Sequence, residues 1–242
     1  MLGIATRDGL RRLTLERPER GNALSAELVD ALLEAVREAA AEPGLHTLVI
    51  GGSGRHLCTG FDLSDLDGCS DGDLLLRFVR VEELLSAIWH SPIRTVAIAQ
   101  GRAWGAGADL FAACELRLAA SDASFRFPGA GFGLVLGTRR LGERVGADLA
   151  RRWVIEGRQV DAREATAAGL ASEVLDGEPH AHPGLAQRPA VSRATATAIR
   201  LATREDFRDA DLAALVRSAA APGLRERIAA YRDALRGSTG KA

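Results

Sequence analysis

The sequence predicts an α/β fold in which buried parallel strands alternate with amphipathic helices. Two short apolar runs, at 47–50 and 95–99, have the composition of strands that are covered on both faces. Each run leads into a glycine-rich turn, and segments with helical apolar spacing separate the runs. Ligands of open α/β sheets bind at the carboxyl ends of strands, so the two glycine-rich turns mark the expected site.

The other elements follow in a regular order. Residues 2–17 alternate around a turn at Asp8-Gly9, which is typical of a β-hairpin. Ser25 stands at the N-cap position of a helix that runs to about Ala41. The remaining predicted elements are helices over 73–90 and about 106–113, strands at 116–120 and 124–127, helices over 148–157 and 161–168, and an extended segment at 170–174.

A stretch rich in Pro and Gly, 176–189, marks the predicted domain boundary. It contains His180 and His182, which we expect in an exposed loop rather than in a metal site. The region beyond it is rich in Ala and Arg with helical spacing. We therefore divide the chain into a core of residues 1–186 and a helical C-terminal subdomain of residues 187–242.

Charge and composition exclude several classes of partner and mechanism. The 242 residues carry 31 basic and 32 acidic side chains, which argues against a nucleic-acid partner. No run of about 18 apolar residues occurs, so we expect no membrane span. Lys241 is the single lysine, which excludes an internal Schiff-base or general-base lysine.

The three cysteines predict a reduced, cytoplasmic protein without a bound metal. They are odd in number and do not have the spacing of metal ligands. The histidines form no metal-binding motif either. These cysteines are Cys58, Cys69 and Cys114.

Two glycine-rich turns carry the chemistry, at residues 55–63 and 101–110. Each alone is typical of a tight chain reversal. The second turn lacks the third glycine of a dinucleotide-binding motif. The two turns together, with two further segments, are far more specific.

Four segments in this order resemble those of the enoyl-CoA hydratase/isomerase family, the crotonase superfamily. They are residues 17–25 (RPERGNALS), 54–63 (GRHLCTGFDL), 101–110 (GRAWGAGADL) and 156–170 (EGRQVDAREATAAGL). The resemblance implies a crotonase-type ββα spiral core with a helical C-terminal subdomain. It also implies a homotrimer, often paired into a hexamer, and an acyl-CoA substrate with no prosthetic group.

The resemblance further implies an oxyanion hole, in which backbone N–H groups stabilise the enolate oxygen of the thioester. By position, the donors are the N–H groups of Phe61 and Ala106, and Asp109 is the general acid or base. The residues implied to bind the coenzyme A part are Arg17, Arg20, Arg55, Thr59, Gly60, Asp62, Leu63 and Gly105. Those implied to line the acyl pocket are Trp104, Gly129 and Phe132.

The sequence departs from the family at the second acid. Gly129 stands where hydratases of the family have a glutamate, and the glycine-rich segment that follows is about three residues shorter. Asp109 replaces the first glutamate with a side chain that is one methylene shorter. Hydration needs two carboxylates around one water, so ordinary hydration is not expected.

Three hypotheses follow. The first is an acyl-CoA enzyme that uses the oxyanion hole and Asp109 alone, with decarboxylation of a malonyl-type ester as an alternative, because loss of CO₂ forms the enolate without a base. Methylmalonyl-CoA decarboxylases of the superfamily similarly keep the first acid and lack the second. The second is a hydratase whose acid comes from Asp62, Asp65 or Asp67. The third is a crotonase-fold protein that binds CoA esters or partners without catalysis.

Overall fold

Two sheets form the frame of the computed structural model, which describes residues 1–175 and 182–239. The strands are β1 Leu2–Arg7, β2 Leu10–Leu15, β3 Thr47–Gly52, β4 Arg94–Ala99, β5 Arg102–Trp104, β6 Leu116–Ala120, β7 Ser124–Arg126, β8 Gln159–Asp161 and β9 Glu173–Leu175. The larger sheet has the order β1-β2-β3-β4-β6-β9, and only its β1–β2 hairpin is antiparallel. The smaller sheet has the order β5-β7-β8.

Ten helices surround the sheets in the described part of the chain. They are α1 Ala26–Ala41, α2 Asp71–Trp89, α3 Ala106–Ala113, α4 Thr138–Val145, α5 Ala147–Ile155, α6 Ala162–Ala167, α7 Pro183–Ala186, α8 Arg193–Ala202, α9 Arg208–Ala219 and α10 Leu224–Thr239. The Ser25 hydroxyl caps α1 by accepting from the N–H of Leu28. Ser70 and Asp73 form a capping box at the start of α2.

The predicted α/β class is confirmed, and the sequence does not predict four short elements, β5, α4, β8 and α7, the last of which lies in the stretch 176–189 expected as a loop. β5 and β8 have three residues each and form only because β7 pairs with both. α4 has a polar sequence (TRRLGERV), and its Arg140 is one of its two buried residues. A pattern that assigns charged side chains to the surface does not detect such a helix.

The main core places the two glycine-rich turns side by side. β3 and β4 are almost entirely buried, and α3 is buried along its whole length. Because β3 and β4 are parallel neighbours, the turns that follow them lie at the same edge of the sheet. α3 begins directly at the second turn.

A second apolar cluster joins the C-terminal helices to α2. Its members include Phe78 of α2, Leu215 of α9 and Ile228 of α10. α10 also packs against the turn at Pro128–Phe132. The C-terminal helices therefore cover the side of the core where the glycine-rich turns lie. The division at residue 186 and the trimer or hexamer stay predictions.

The Pro- and Gly-rich stretch is described only in part. His180 and Lys241 lie outside the described residues. His182 caps α7 through the N–H of Gly184 and lies 3.2 Å from the Glu173 carboxylate. None of the helices in the described ranges is long and apolar enough to cross a membrane. The cytoplasmic location stays a prediction.

Candidate functional site

A short parallel ladder holds the two glycine-rich turns together. The N–H of Leu57 donates to the carbonyl of Gln100 at 2.9 Å, and the N–H of Trp104 donates to the carbonyl of Cys58 at 3.0 Å. The N–H of Cys58 completes the ladder on the carbonyl of Arg102. The relative position of the turns is therefore set by backbone hydrogen bonds rather than by side chains.

Asn22 fixes the first turn from the opposite side. Its buried side chain accepts from the N–H of Arg17 and donates to the carbonyls of Ser53 and His56, at 2.9, 2.9 and 2.7 Å. Asn22 has a φ of 55°, a left-handed conformation that asparagine tolerates better than most residues. This explains why an asparagine stands in the segment 17–25, far from the turn in sequence.

Two glycines adopt backbone conformations that other residues disfavour, and Gly60 also lets the turns approach more closely than a side chain would permit. Gly60 has a φ of 106° and Gly105 a φ of 53°, both in the region that favours glycine. A Cβ on Gly60 would lie 2.9 Å from the carbonyl oxygen of Trp104, and one on Gly105 would lie 3.7 Å from the Cα of Gly60. The residues that follow these glycines, Phe61 and Ala106, are thereby brought to one place.

The N–H groups of Phe61 and Ala106 are free to bind a ligand. Leu24 pairs with the backbone on either side of Phe61, at Gly60 and Asp62, and leaves the N–H of Phe61 unused. Ala106 is the first residue of α3, whose N–H has no partner within a helix. Neither N–H donates to an acceptor within residues 1–175 and 182–239. Ala106 needs no positive φ, so alanine is tolerated where the family commonly has glycine.

A cavity of about 160 Å³ opens at these two N–H groups. Its wall is mostly apolar and aromatic. The rings of Phe61 and Phe78 stack at 4.3 Å, and those of Phe132 and Tyr231 lie 5.4 Å apart. The lining residues are Thr59, Gly60, Phe61, Leu63, Phe78, Trp104, Gly105, Ala106, Asp109, Arg126, Phe127, Pro128, Gly129, Ala130, Phe132, Leu134, Leu136, Thr138, Val154 and Tyr231.

Asp109 supplies the buried acid of this cavity. It lies one helical turn after Ala106, and the residue is only 6% exposed. Its Oδ1 has no hydrogen-bond partner among the described residues. Burial raises the pKa of the Asp109 carboxyl well above its usual range, and the charge of Arg140 offsets this only in part. The carboxyl group is therefore protonated under conditions where an exposed aspartate is ionised.

A buried ion pair lies behind Asp109. The Arg140 guanidinium contacts both carboxylate oxygens of Glu82, at 2.9 and 2.5 Å, and lies 3.3 Å from Asp211. The side chains of Arg140 and Glu82 are 1% and 3% exposed. Arg140 lowers the pKa of Asp109 whereas Glu82 raises it, so the effects of the two charges on this pKa oppose each other. Burial is the largest cause of the raised pKa.

Most of the predicted site residues line the cavity. They are Thr59, Gly60, Phe61, Leu63, Trp104, Gly105, Ala106, Asp109, Gly129 and Phe132. Gly129 has room for a Cβ, which would meet the carbonyl of Leu134 at an ordinary 3.5 Å, and it lines the cavity. The position of the missing glutamate therefore faces the same cavity as Asp109.

Four predicted residues lie outside the cavity wall. Arg17 donates to the carbonyl of Ala23 and forms a 2.9 Å ion pair with Asp62, so both side chains hold the loop instead. Arg20 and Arg55 are exposed. The pKa of Asp62 is lowered: burial opposes ionisation, and hydrogen bonds from Ser64 together with Arg17 outweigh it.

The other two acids of the hydratase hypothesis are also engaged elsewhere. Asp65 lies 2.8 Å from Arg77, and Asp67 lies 3.1 Å from Arg232. Neither they nor Asp62 line the cavity. The structure thus places no second carboxylate beside Asp109 in the cavity wall that it describes.

Sequence reasoning missed three lining residues that matter for chemistry: Phe78, Arg126 and Tyr231. Tyr231 is the single tyrosine of the chain, and α10 folds back and brings its ring against Phe132. Its isolated position in sequence gives no signal of this contact. Arg126 alternates with buried Phe125 along β7, so the pattern indicated only that it faces away from the core.

The arrangement can polarise a carbonyl oxygen and deliver a proton nearby. Two converging N–H donors at a helix N-terminus stabilise an oxyanion without reorganisation. A protonated carboxyl group one turn away is a general acid. Within the described ranges, no cluster of three or more His, Cys, Asp or Glu side chains has the arrangement of a metal site.

The chain is similar to known proteins in sequence and in fold. Residues 5–215 match the family model for enoyl-CoA hydratase/isomerase. A candidate enoyl-CoA hydratase/isomerase from Bordetella parapertussis has 46% identity and a TM-score of 0.92, with 95% of this chain and 97% of that chain covered. The probable enoyl-CoA hydratase echA6 of Mycobacterium bovis is 35% identical over 178 residues, which cover 72% of this chain and 70% of that protein.

The fold extends to more distant structures. An enoyl-CoA hydratase from Bacillus halodurans has a TM-score of 0.81 at 22% identity, with 95% of this chain and 99% of that chain covered. At this identity the likeness concerns the fold alone. The family model and the closer relatives confirm the family expected from the four segments: the chain belongs to the enoyl-CoA hydratase/isomerase family.

Proposed function

We propose that this protein acts on an acyl-CoA thioester through an enolate that is held by the N–H groups of Phe61 and Ala106. The observation that carries the proposal is the meeting of these two unused donors with Asp109 in one cavity. The thioester oxygen accepts both N–H groups, and negative charge that develops on it is stabilised. Removal of one such donor typically costs about 3 kcal/mol of transition-state stabilisation.

The acyl group occupies the aromatic part of the cavity, and the coenzyme A part extends outward. Phe61, Phe78 and Phe132 provide flat apolar surfaces next to the thioester position. A volume of about 160 Å³ matches a short acyl group, since an engineered apolar cavity of about 150 Å³ binds benzene. Arg20 and Arg55 are exposed arginines suited to bind the phosphates of coenzyme A.

Decarboxylation of a malonyl-type ester is the reaction that the protonation of Asp109 favours. Hydration and isomerisation need a carboxylate base, whereas burial raises the pKa of the Asp109 carboxyl and so disfavours the ionised form. In decarboxylation, the bond between Cα and the substrate carboxylate breaks, CO₂ leaves, and the electron pair forms the enolate. The Asp109 carboxyl then gives its proton to Cα and regains one from water.

The direct test is incubation with malonyl-CoA, methylmalonyl-CoA and crotonyl-CoA. CO₂ release from a malonyl-type ester, with loss of release in Asp109→Asn, supports decarboxylation. Robust hydration of crotonyl-CoA, measured by the absorbance of the conjugated thioester, would contradict it, above all if it survived Asp109→Ala. Failure of every CoA ester to bind would leave only a non-catalytic partner-binding protein.

A further inference from the structure

Arg126 is fixed one residue away from the oxyanion hole. It lies on β7 directly opposite Trp104 of β5. Its carbonyl oxygen accepts the N–H of Gly105 at 2.8 Å, and Gly105 immediately precedes the donor Ala106. The backbone of Arg126 therefore helps to hold the segment that carries the N–H donor of Ala106.

The guanidinium of Arg126 has N–H donors without a hydrogen-bond partner in the described part of the chain. Its Nε donates to the carbonyl of Gly157 at 3.0 Å, and the group lies 5.9 Å from the Trp104 ring. The two terminal nitrogens of Arg126 have no hydrogen-bond acceptor among residues 1–175 and 182–239. The guanidinium also forms no ion pair with a carboxylate in these ranges. Arginine carries its charge at all physiological pH values, so these donors remain available to an anion.

Nearby arginines differ from Arg126 in this respect. Arg17, Arg77 and Arg140 each hold a carboxylate of this chain. Arg102 stacks on the same Trp104 ring, at 4.5 Å, but it is exposed and lies outside the cavity wall. Arg126 is the one arginine that lines the cavity within the described part of the chain.

The rest of the cavity suits an anion. Asp109 lines the cavity, and its burial disfavours the charged form, while Gly129 brings no charge where the family has a glutamate. Tyr231 adds a phenol to the same wall, and the charge of Arg126 opposes the rise that burial causes in its pKa. A carboxylate bound here meets a cation and a hydroxyl donor, and burial disfavours the ionised form of Asp109, the one carboxylic acid in the described cavity wall.

We propose that Arg126 binds a carboxylate carried on the acyl group, and so selects acyl-CoA esters of dicarboxylic acids. The inference rests on the acyl-CoA function proposed above. A coenzyme A phosphate is separated from the thioester by the whole pantetheine arm, whereas Arg126 is anchored beside the thioester oxygen site. The group that meets it is therefore on the acyl side. A charge-assisted pair of this kind contributes about tenfold or more to affinity.

The test compares malonyl-CoA with propionyl-CoA, which have three acyl carbons each and differ in a terminal carboxylate or methyl group. Both are titrated by calorimetry into Asp109→Asn protein, where the amide replaces the protonated carboxyl and cannot supply the proton that completes turnover. We expect at least tenfold tighter binding of malonyl-CoA. Arg126→Met should remove this preference and leave the affinity for propionyl-CoA unchanged, while Arg126→Lys should retain part of it.

Arg102→Met is the matched control, because Arg102 stacks on the same tryptophan outside the cavity. It should keep the preference. If Arg126→Met weakens both esters equally, the residue contacts the coenzyme A part and the inference is wrong. It is also wrong if a folded Arg126→Met protein, checked by thermal unfolding, keeps the preference. If neither ester binds the Asp109→Asn protein or the unsubstituted protein, the proposed function itself fails.

Discussion

The carboxyl group of Asp109 lies directly against the backbone of Gly137. A Cβ built on Gly137 would fall 2.2 Å from Oδ1 of Asp109, and Gly137 itself has a φ of 67°. The glycine therefore makes room for the acid and ends the turn that leads into α4. This contact joins the shortened glycine-rich segment, where the second acid is absent, to the single acid that remains.

Replacement of Gly137 by alanine should lower turnover by about 100-fold with little loss of substrate binding. The new methyl group displaces the Asp109 carboxyl, and a displacement on the order of 1 Å can cost about 100-fold in rate. Steady-state kinetics on the substrate found in the CO₂-release test measure this as a fall in kcat. Gly146→Ala is the control, because Gly146 has a similar positive φ of 85° and a Cβ there would contact nothing within 4 Å. Normal kcat in Gly137→Ala would contradict the role of Asp109.

The pH dependence of kcat should be that of a general acid. Burial raises the pKa of Asp109, so kcat should be constant below that pKa and fall as pH rises through it. A carboxylate base would give the opposite pH dependence, with kcat rising as pH increases. The rate of CO₂ release, measured from about pH 5 to 9, distinguishes these two pH profiles.

Asp109→Asn should unfold at a higher temperature than the unsubstituted protein near neutral pH. The folded state holds Asp109 protonated, whereas the unfolded chain ionises it above about pH 4. The unsubstituted protein therefore loses stability as pH rises from about 4 to the folded pKa, and the asparagine variant does not. Thermal unfolding at several pH values measures the gap. A gap that does not widen with pH would show that Asp109 is ionised in the folded state.

Gly129→Glu should introduce hydratase activity. The position has a φ outside the glycine region and room for a Cβ, at 3.5 Å from the Leu134 carbonyl and 3.8 Å from its Cβ. The glutamate would place a base opposite Asp109, and general-base catalysis typically contributes about 100-fold or more. Loss of the crotonyl-CoA absorbance measures the gain. Gly129→Gln has the same size without the base and should stay inactive; equal rates in both variants would refute the explanation.

The resemblance of four segments to the enoyl-CoA hydratase/isomerase family predicts Phe61, Ala106 and Asp109, and the structure brings these three residues together in one cavity. Their catalytic roles stay predictions. Arg17 was assigned to phosphate binding because an arginine in a loop has no visible partner in sequence. The structure instead pairs it with Asp62, from a segment 45 positions away.

The rest of the cavity depends on long-range packing that the sequence does not encode locally. Tyr231 reaches the cavity because apolar contacts of α10 with α2 fold the C-terminal helix back over it. Arg140 is buried because Glu82 compensates its charge, so the polar sequence of α4 gave no indication of a core helix. Such residues become visible only when the tertiary partners are known.

The most direct test of the oxyanion hole is the NMR shift of the carbonyl carbon in a bound ester. Propionyl-CoA labelled with ¹³C at the thioester carbonyl is added to the protein and to Ala106→Pro, and its NMR shift is recorded. Proline removes the N–H but suits the first position of a helix, so α3 should persist. We predict a downfield shift on binding to the unsubstituted protein that is largely lost in Ala106→Pro. A bound ester whose carbonyl resonance is the same in both proteins would contradict the account.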